Sequence, residues 1–254
     1  MKIAVIPDTQ VKPGIKLDYL EWVGKYLVQK RPDVIVCLGD FGDMPSLSSY
    51  DIGKKSFEGR RYKKDVGAVK EAMEIFLGPL HRYNFIQRKY KKPEYKPRKV
   101  MLYGNHENRI ERVVEEDPRL EGTISLDDLG YEAAGWEVHP FLKQVVIEGV
   151  AFSHYFCSGI MGRPIISARM LLTKKHMSCV AGHQQGRDIA YAQRGDGRDM
   201  TAIIAGSCYL HSEPYLNPQT NNHWRGMYML HNVKDGAFDE MAVSLEYLKS
   251  KYNA

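Results

Sequence analysis

Apolar and polar positions alternate with two different periods along this chain. Short apolar runs of β type recur at 2–7 (KIAVIP), 33–38, 99–103, 150–154 and 178–182 (SCVAG), and each ends in a cluster of Asp, Asn, His, Gln or Gly rather than in an ordinary turn. Between the first two runs Leu17, Leu20, Val23, Tyr26 and Leu27 fall at helical spacing. That predicts a helix over 17–30 and a strand–helix–strand unit, which favours a parallel pair. Val66, Val69, Met73, Phe76 and Leu80 predict a second helix over 65–87, with Gly78-Pro79 expected to kink or interrupt it. The stretch 45–64 before it is polar and irregular and reads as an insertion flanking a site. A further helix is expected from about His106 to Glu116. Beyond Trp136 short strands alternate with turns, and RGMYMLHNV and FDEMAVSLEYL pair as a hairpin across Lys234-Asp235-Gly236.

With 254 residues and 43% hydrophobic content the chain can bury one large core, and no Pro/Gly/Ser-rich linker divides it. The reading is a single domain over 1–254 with a basic and aromatic insertion at about 45–98. No apolar run reaches the roughly 18 residues of a membrane span, and MKIAVIP reads as a core strand rather than a signal peptide. A soluble, cytoplasmic protein with no membrane partner is therefore expected. Cys37, Cys157, Cys179 and Cys208 lie in or beside apolar strand-like contexts without CxxC spacing, as reduced core cysteines do. The net charge of +5 is modest but uneven: Arg82, Arg88, Lys89, Lys91, Lys92, Lys96, Arg98 and Lys99 stand against Glu94 alone.

The polar clusters carry the chemistry. In order they are DTQ at Asp8, GDFGD from Gly39, GNHE from Gly104, a lone histidine at His154 and GHQQ from Gly182. Each follows a strand-like run, which places its side chains at the carboxyl end of a strand, where sites on open α/β folds are built. The set resembles the calcineurin-like metallophosphoesterase superfamily, whose signature runs D-x-H, G-D-x-x-D, G-N-H-[ED], H, G-H-x-H, over roughly residues 3 to 185. The resemblance implies an α/β fold, the αββα sandwich of two mixed sheets flanked by helices. It also implies hydrolysis of phosphate esters through two divalent ions and a bridging hydroxide. By family correspondence Asp40 bridges the ions, Asp8 holds the first, and Asn105, His154 and His183 hold the second. His106 then corresponds to the general acid and Asp43 to the carboxylate that orients it. Glu107 and Arg109 are the next polar positions, suited to binding groups behind the ligands and a phosphate oxygen respectively. PDTQVKPG, PSLSSYD and NPQTNNHWRG are, within that family, similar to bacteriophage-encoded members, for which the location would be the host cytoplasm.

Two positions depart from the signature. Gln10 and Gln185 stand where the first ion would have histidines. A carboxamide oxygen is a harder and weaker ligand than imidazole, so Mn²⁺ or Mg²⁺ is favoured over Zn²⁺ and the first ion should be weakly held. Arg60, Arg61, Lys63 and Lys64 interleaved with Tyr50, Phe57 and Tyr62 suit phosphate contacts with base stacking, so nucleic acid or a nucleotide is the preferred substrate class. In the late polar loop His211, Asn222 and His223, with Tyr209, Asn217 and Trp224, are candidates to line a pocket. Three alternatives stay open. A protein Ser/Thr phosphatase has Arg-Gly after the second Asp, where this chain has Met44-Pro45. A nucleotide phosphoesterase would prefer small esters, and a nucleic-acid-binding protein with a degenerate site would bind without turnover.

Overall fold

Eleven strands form two sheets in the computed structural model, which describes residues 1–213, 216 and 219–253. The first sheet holds Ile3–Ile6 (β1), Val34–Cys37 (β2), Arg98–Leu102 (β3), Glu137–His139 (β4), Gly226–Lys234 (β10) and Ala237–Ser244 (β11). Its order is β11-β10-β1-β2-β3-β4, with β1 to β4 parallel and the last hairpin antiparallel. The second holds Val145–Ile147 (β5), Val150–Ser153 (β6), Cys179–Ala181 (β7), Arg187–Gln193 (β8) and Asp199–Ala205 (β9) in the order β5-β6-β7-β9-β8, with β6, β7 and β9 parallel. The helices are Asp18–Lys30 (α1), Tyr62–Lys89 (α2), Arg109–Glu116 (α3), Ala168–Lys175 (α4) and Leu245–Tyr252 (α5).

Strand periodicity builds the layers. Ile3, Val5, Val34, Val36, Val100 and Leu102 point into the space between the sheets and meet Val150, Phe152, Val180 and Ile203. Their neighbours Ala4, Ile6, Ile35, Cys37 and Met101 point the other way, onto α1 and α2. On the far side Ala151, Cys179, Ala181, Ala202 and Ile204 pack against Leu171 and Leu172 of α4. Both faces of each sheet are covered, which is why the central strands read as unbroken apolar runs. The result is the α/β/β/α sandwich expected from the sequence. No helix among the described residues is long and apolar enough to cross a membrane.

Three local expectations are corrected. α2 is not interrupted at Gly78-Pro79 but continues through the proline, which is buried against α1. A Cβ on Gly24 of α1 would lie 2.3 Å from the Phe76 carbonyl oxygen and 3.0 Å from Pro79 Cγ, so the two helices meet at near backbone contact. The helix after GNHE begins at Arg109 rather than His106, and residues 105–108 form a turn. The second half of the tail hairpin ends at Ser244, whose side chain accepts the Tyr247 N–H (3.1 Å) and caps α5, so Glu246, Tyr247 and Leu248 are helical. The hairpin itself closes over Asp235-Gly236 as expected, with φ of 50° and 87°.

Gly24→Ala is expected to push α1 from α2 and cost about 1–3 kcal/mol, as overpacking does. Gly67→Ala, on α2 with nothing within 4 Å of the added carbon, should instead stabilise by about 0.4–1 kcal/mol. Paired thermal denaturation curves that shift in opposite directions check both.

Candidate metal centre

The parallel strands β1, β2, β3, β6 and β7 deliver their polar clusters to one end of the sandwich. Asp8 follows β1, Asp40 and Asp43 follow β2, Asn105 and His106 follow β3, His154 follows β6, and His183 and Gln185 follow β7. The chain bends sharply there. Gln10, Asp40 and His183 hold left-handed φ of 44°, 50° and 68°, a conformation that costs energy outside glycine and clusters at functional sites. Gly104 is required by proximity: a Cβ there would lie 2.0 Å from Asp40 Oδ1.

One ligand-type atom from each of Asp40, His154 and His183 lies within 4.8 Å of the others. Asn105 Oδ1 stands between the imidazoles, 2.9 Å from His154 Nε2 and 2.8 Å from His183 Nδ1. The Nδ1 of His154 meets the Leu38 carbonyl at 2.9 Å, and donation there leaves Nε2 with its lone pair toward the centre. Burial first, and neighbouring charge second, lower the His183 imidazole to about 4; burial also lowers His154. Both rings are therefore neutral at pH 7, the form that binds metal.

Asp8 lies on the other side. Its Oδ1 accepts the His183 N–H (3.1 Å) and its Oδ2 accepts from Gln185 Nε2 (3.4 Å). Burial, and then the charge of Asp40, push the Asp8 carboxyl well above its usual range. Burial opposes the charge of Asp40 too, yet His106, first through its ring and also through its backbone N–H, holds the Asp40 carboxyl low. Paired buried carboxylates ringed by neutral imidazoles and a carboxamide oxygen are the donor set of a divalent cation, so the residues present fit the metal implied by the sequence.

Glu107 turns away from that set. Its carboxylate accepts the backbone N–H groups of Asp40, Gly42 and Gly104, each at 2.9 Å, and the Tyr131 hydroxyl at 3.3 Å. One fully buried side chain thus ties the second cluster to the third. Burial and Asp40 raise its carboxyl to about 7, against the pull of those N–H groups.

His106 sits at the rim with Nδ1 2.7 Å from Asp43 Oδ1, a short ion-pair contact off the hydrogen-bond line, and with Nε2 turned toward Asp40 Oδ2 at 3.7 Å. Burial opposes charge on this ring, but Asp40 and Asp43 outweigh it and raise its pKa. Asp43 is itself held low: burial opposes, while His106, Lys12 and Arg109 stabilise its negative charge.

The remaining candidates separate. Gln10 is buried and its N–H bonds the Asp40 carbonyl at 2.9 Å. Gln185 Oε1 accepts the Tyr209 hydroxyl at 2.7 Å, and its amide nitrogen donates to Asp8. Arg109 borders the same cleft as His106, with its Nη1 bonded to the Asp43 and Met44 carbonyls (2.6 and 3.3 Å). Arg60 and Arg61 border a cleft of about 1060 Å³ that opens from Asn105, His106 and His183. Arg60 is clasped by Asp51 and the Pro45 carbonyl, whereas Arg61 is exposed and bonds its neighbour's carbonyl. His211 stacks on Tyr209 and meets Glu213 at 2.6 Å. His223 lies between Ser207 Oγ and the Thr220 carbonyl, and Asn222 is exposed; neither borders the cleft. Trp224 packs on Tyr228 and under Arg187. Asn217 lies outside the described residues.

Sequence reasoning missed Lys12 and Glu213, which both border the cleft. Nothing local marks them, because their contact spans 201 positions.

A family model described as calcineurin-like phosphoesterase matches residues 1–183, from β1 to the fifth cluster. No curated protein matches the sequence. Among solved structures, the crystal structure of TT1561 of Thermus thermophilus is similar at 7% identity over 95% of this chain and 98% of that one, with a TM-score of 0.37. A second is similar at 9% identity over 96% and 99%, with a TM-score of 0.41. Likenesses at that level carry no argument about activity.

Glu107→Ala would strand three buried N–H groups at about 1–3 kcal/mol each. Urea unfolding should show a loss of several kcal/mol and calorimetry a weakened Mn²⁺ affinity. Glu107→Gln, which keeps one acceptor oxygen, should lose less on both measures.

Proposed function

The chain belongs to the calcineurin-like phosphoesterase family, hydrolases of phosphate esters, and from that premise we propose that it cleaves nucleic acid or nucleotide esters at a two-ion centre. The observation that supports the substrate class is the cleft. It joins the His106 rim to a wall made by the early part of the insertion, where Lys54, Arg61 and Lys64 supply cations and Tyr50 an exposed ring. Cations spaced along a groove with an aromatic face suit a phosphate backbone and a stacked base. The other basic run, 82–99, lies at the far end of α2. That helix has 28 residues and is about 42 Å long at 1.5 Å per residue. None of that run borders the cleft.

Asp8, Asp40, Asn105, His154 and His183 would hold the ions, with Gln10 and Gln185 beside the first. Bound there, divalent cations acidify an attacking water and neutralise the phosphoryl oxygens, and Mn²⁺ or Mg²⁺ suits a site that has lost two imidazoles. His106, protonated at Nε2 and oriented through Nδ1 by Asp43, gives its proton to the leaving oxygen. The single domain over 1–254 presents the 45–64 stretch as the substrate wall.

A second reading, one tightly held ion, draws support from Gln185, whose amide oxygen is engaged by Tyr209 while Asp40, His154 and His183 close a set of their own. Metal content after dialysis distinguishes one ion from two.

Metal-stripped protein titrated with Mn²⁺, Mg²⁺ or Zn²⁺ on bis-p-nitrophenyl and p-nitrophenyl phosphate tests the activity. Mn²⁺ should restore it best, and silence with every metal would leave a binding protein. On an oligonucleotide, whose leaving oxygen needs a proton, His106→Ala should cut turnover by about 10²–10⁴ with metal content unchanged, whereas Asp40→Asn should lose both turnover and metal. Replacing Lys54, Arg61 and Lys64 by Ala should raise KM for an oligonucleotide and leave bis-p-nitrophenyl phosphate unaffected. An equal rise on both would argue against a nucleic-acid wall.

A further inference from the structure

The chain after β9 returns to the centre, where the Cys208 N–H bonds the Asp8 carbonyl at 2.8 Å. Tyr209, after β9, bonds Gln185. Four residues on, Glu213 is almost fully buried and takes both its oxygens to Lys12 Nζ at 2.7 Å. Lys12 Nζ has a further acceptor in reach, Asp43 Oδ2 at 3.3 Å, while the other oxygen of Asp43 faces His106. Lys12 is fixed beside Asp43 by its backbone, since the Val11 N–H bonds the Phe41 carbonyl and the Asp43 N–H bonds the Val11 carbonyl, both at 2.8 Å. On the loop side Arg225 holds the His211 and Asn221 carbonyls (2.8 and 3.1 Å), and Asn221 Oδ1 accepts the Glu213 N–H.

We infer that Lys12 is a positioning residue that couples the seating of the 207–213 segment to the orientation of the Asp43–His106 pair. Among the described residues Lys12 is the one lysine or arginine against Glu213, with the His211 ring on the same carboxylate, so the carboxylate at the end of the segment is seated on Lys12. Removing the partner of a carboxylate this dry leaves a buried charge unpaired, which is far costlier than breaking a surface pair. Among the described residues Lys12 in turn is the one cation paired with Asp43 Oδ2, and without it that carboxylate is free to rotate toward Arg109, which already lies 3.4 Å from Oδ1. A small misplacement of the proton donor is felt in the rate more than in substrate binding.

The inference rests on His106 as the acid, and a leaving-group comparison tests each separately. Manganese-loaded protein is assayed on a p-nitrophenyl ester, whose phenolate departs without a proton, and on an alkyl ester of the same phosphate. His106→Ala should lose the alkyl ester preferentially; equal loss on both would overturn the acid assignment. Lys12→Met should lower kcat on the alkyl ester about tenfold or more at unchanged KM and spare the p-nitrophenyl ester, and Lys12→Arg should recover part of the loss. Equal loss on both esters, with His106→Ala selective, would overturn the positioning role alone. Amide hydrogen exchange reads the coupling without turnover. Lys12→Met and Glu213→Gln should each speed exchange in both the 40–43 and 207–213 segments, and the Lys12→Met/Glu213→Gln double variant, which removes the orphaned charge, should do no more than either. Exchange that rises in 207–213 alone would overturn the coupling.

Discussion

Carboxylates buried together at the mouth of a dry sandwich set the terms for the rest of this structure. Asp8, Asp40 and Glu107 are each almost wholly removed from solvent, and the charge of Asp40 is felt by the other two. Such a group persists only where donors or cations meet it. Glu107 is satisfied by the backbone, through three N–H groups from two loops. Asp40 accepts the His106 N–H and faces imidazoles. The chain pays for this with left-handed backbone at Gln10, Asp40 and His183 and with a glycine at 104 whose missing Cβ makes room for Asp40.

From that constraint the two roles of the GNHE cluster separate. Asn105 and His106 face the centre, one between the histidines and the other toward its rim, whereas Glu107 faces the scaffold. The candidate metal ligands are thereby held by a side chain that faces away from them. Precision of this kind requires rigid support, and the β2 and β3 ends on which the loops sit are covered on both faces by apolar layers.

The cleft side of the molecule is organised by distance. Of the two basic segments in the chain, the one at 54–64 lies within the cleft and the one at 82–99 lies at the opposite end of α2, paired in part with Glu21, Glu94 and Glu137. Their charge is alike, and only the length of the intervening helix separates their surroundings.

Local pattern in the chain was enough to set the first strands and the order of the clusters, because both depend on short-range periodicity, while the sandwich of layers was what the family resemblance implied. Alternation at Ile3 to Ile6 sends side chains to opposite faces whatever lies beyond, and the βαβ spacing makes the first strands parallel, so the clusters on them had to emerge at one end. The Asp235-Gly236 turn was equally legible. Approach between distant segments settled what local pattern left open. It carried α2 through Pro79 by packing the ring on Gly24, and it turned Glu246 to Leu248 into helix once Ser244 capped it. It engaged Arg60 and Arg109 with carbonyls and carboxylates within the protein, and set His223 between Ser207 and Thr220. Above all it brought Glu213 to Lys12, a contact no local pattern encodes, since an ion pair buried across 201 positions is fixed by where the sheets place two loops and not by the residues that flank them.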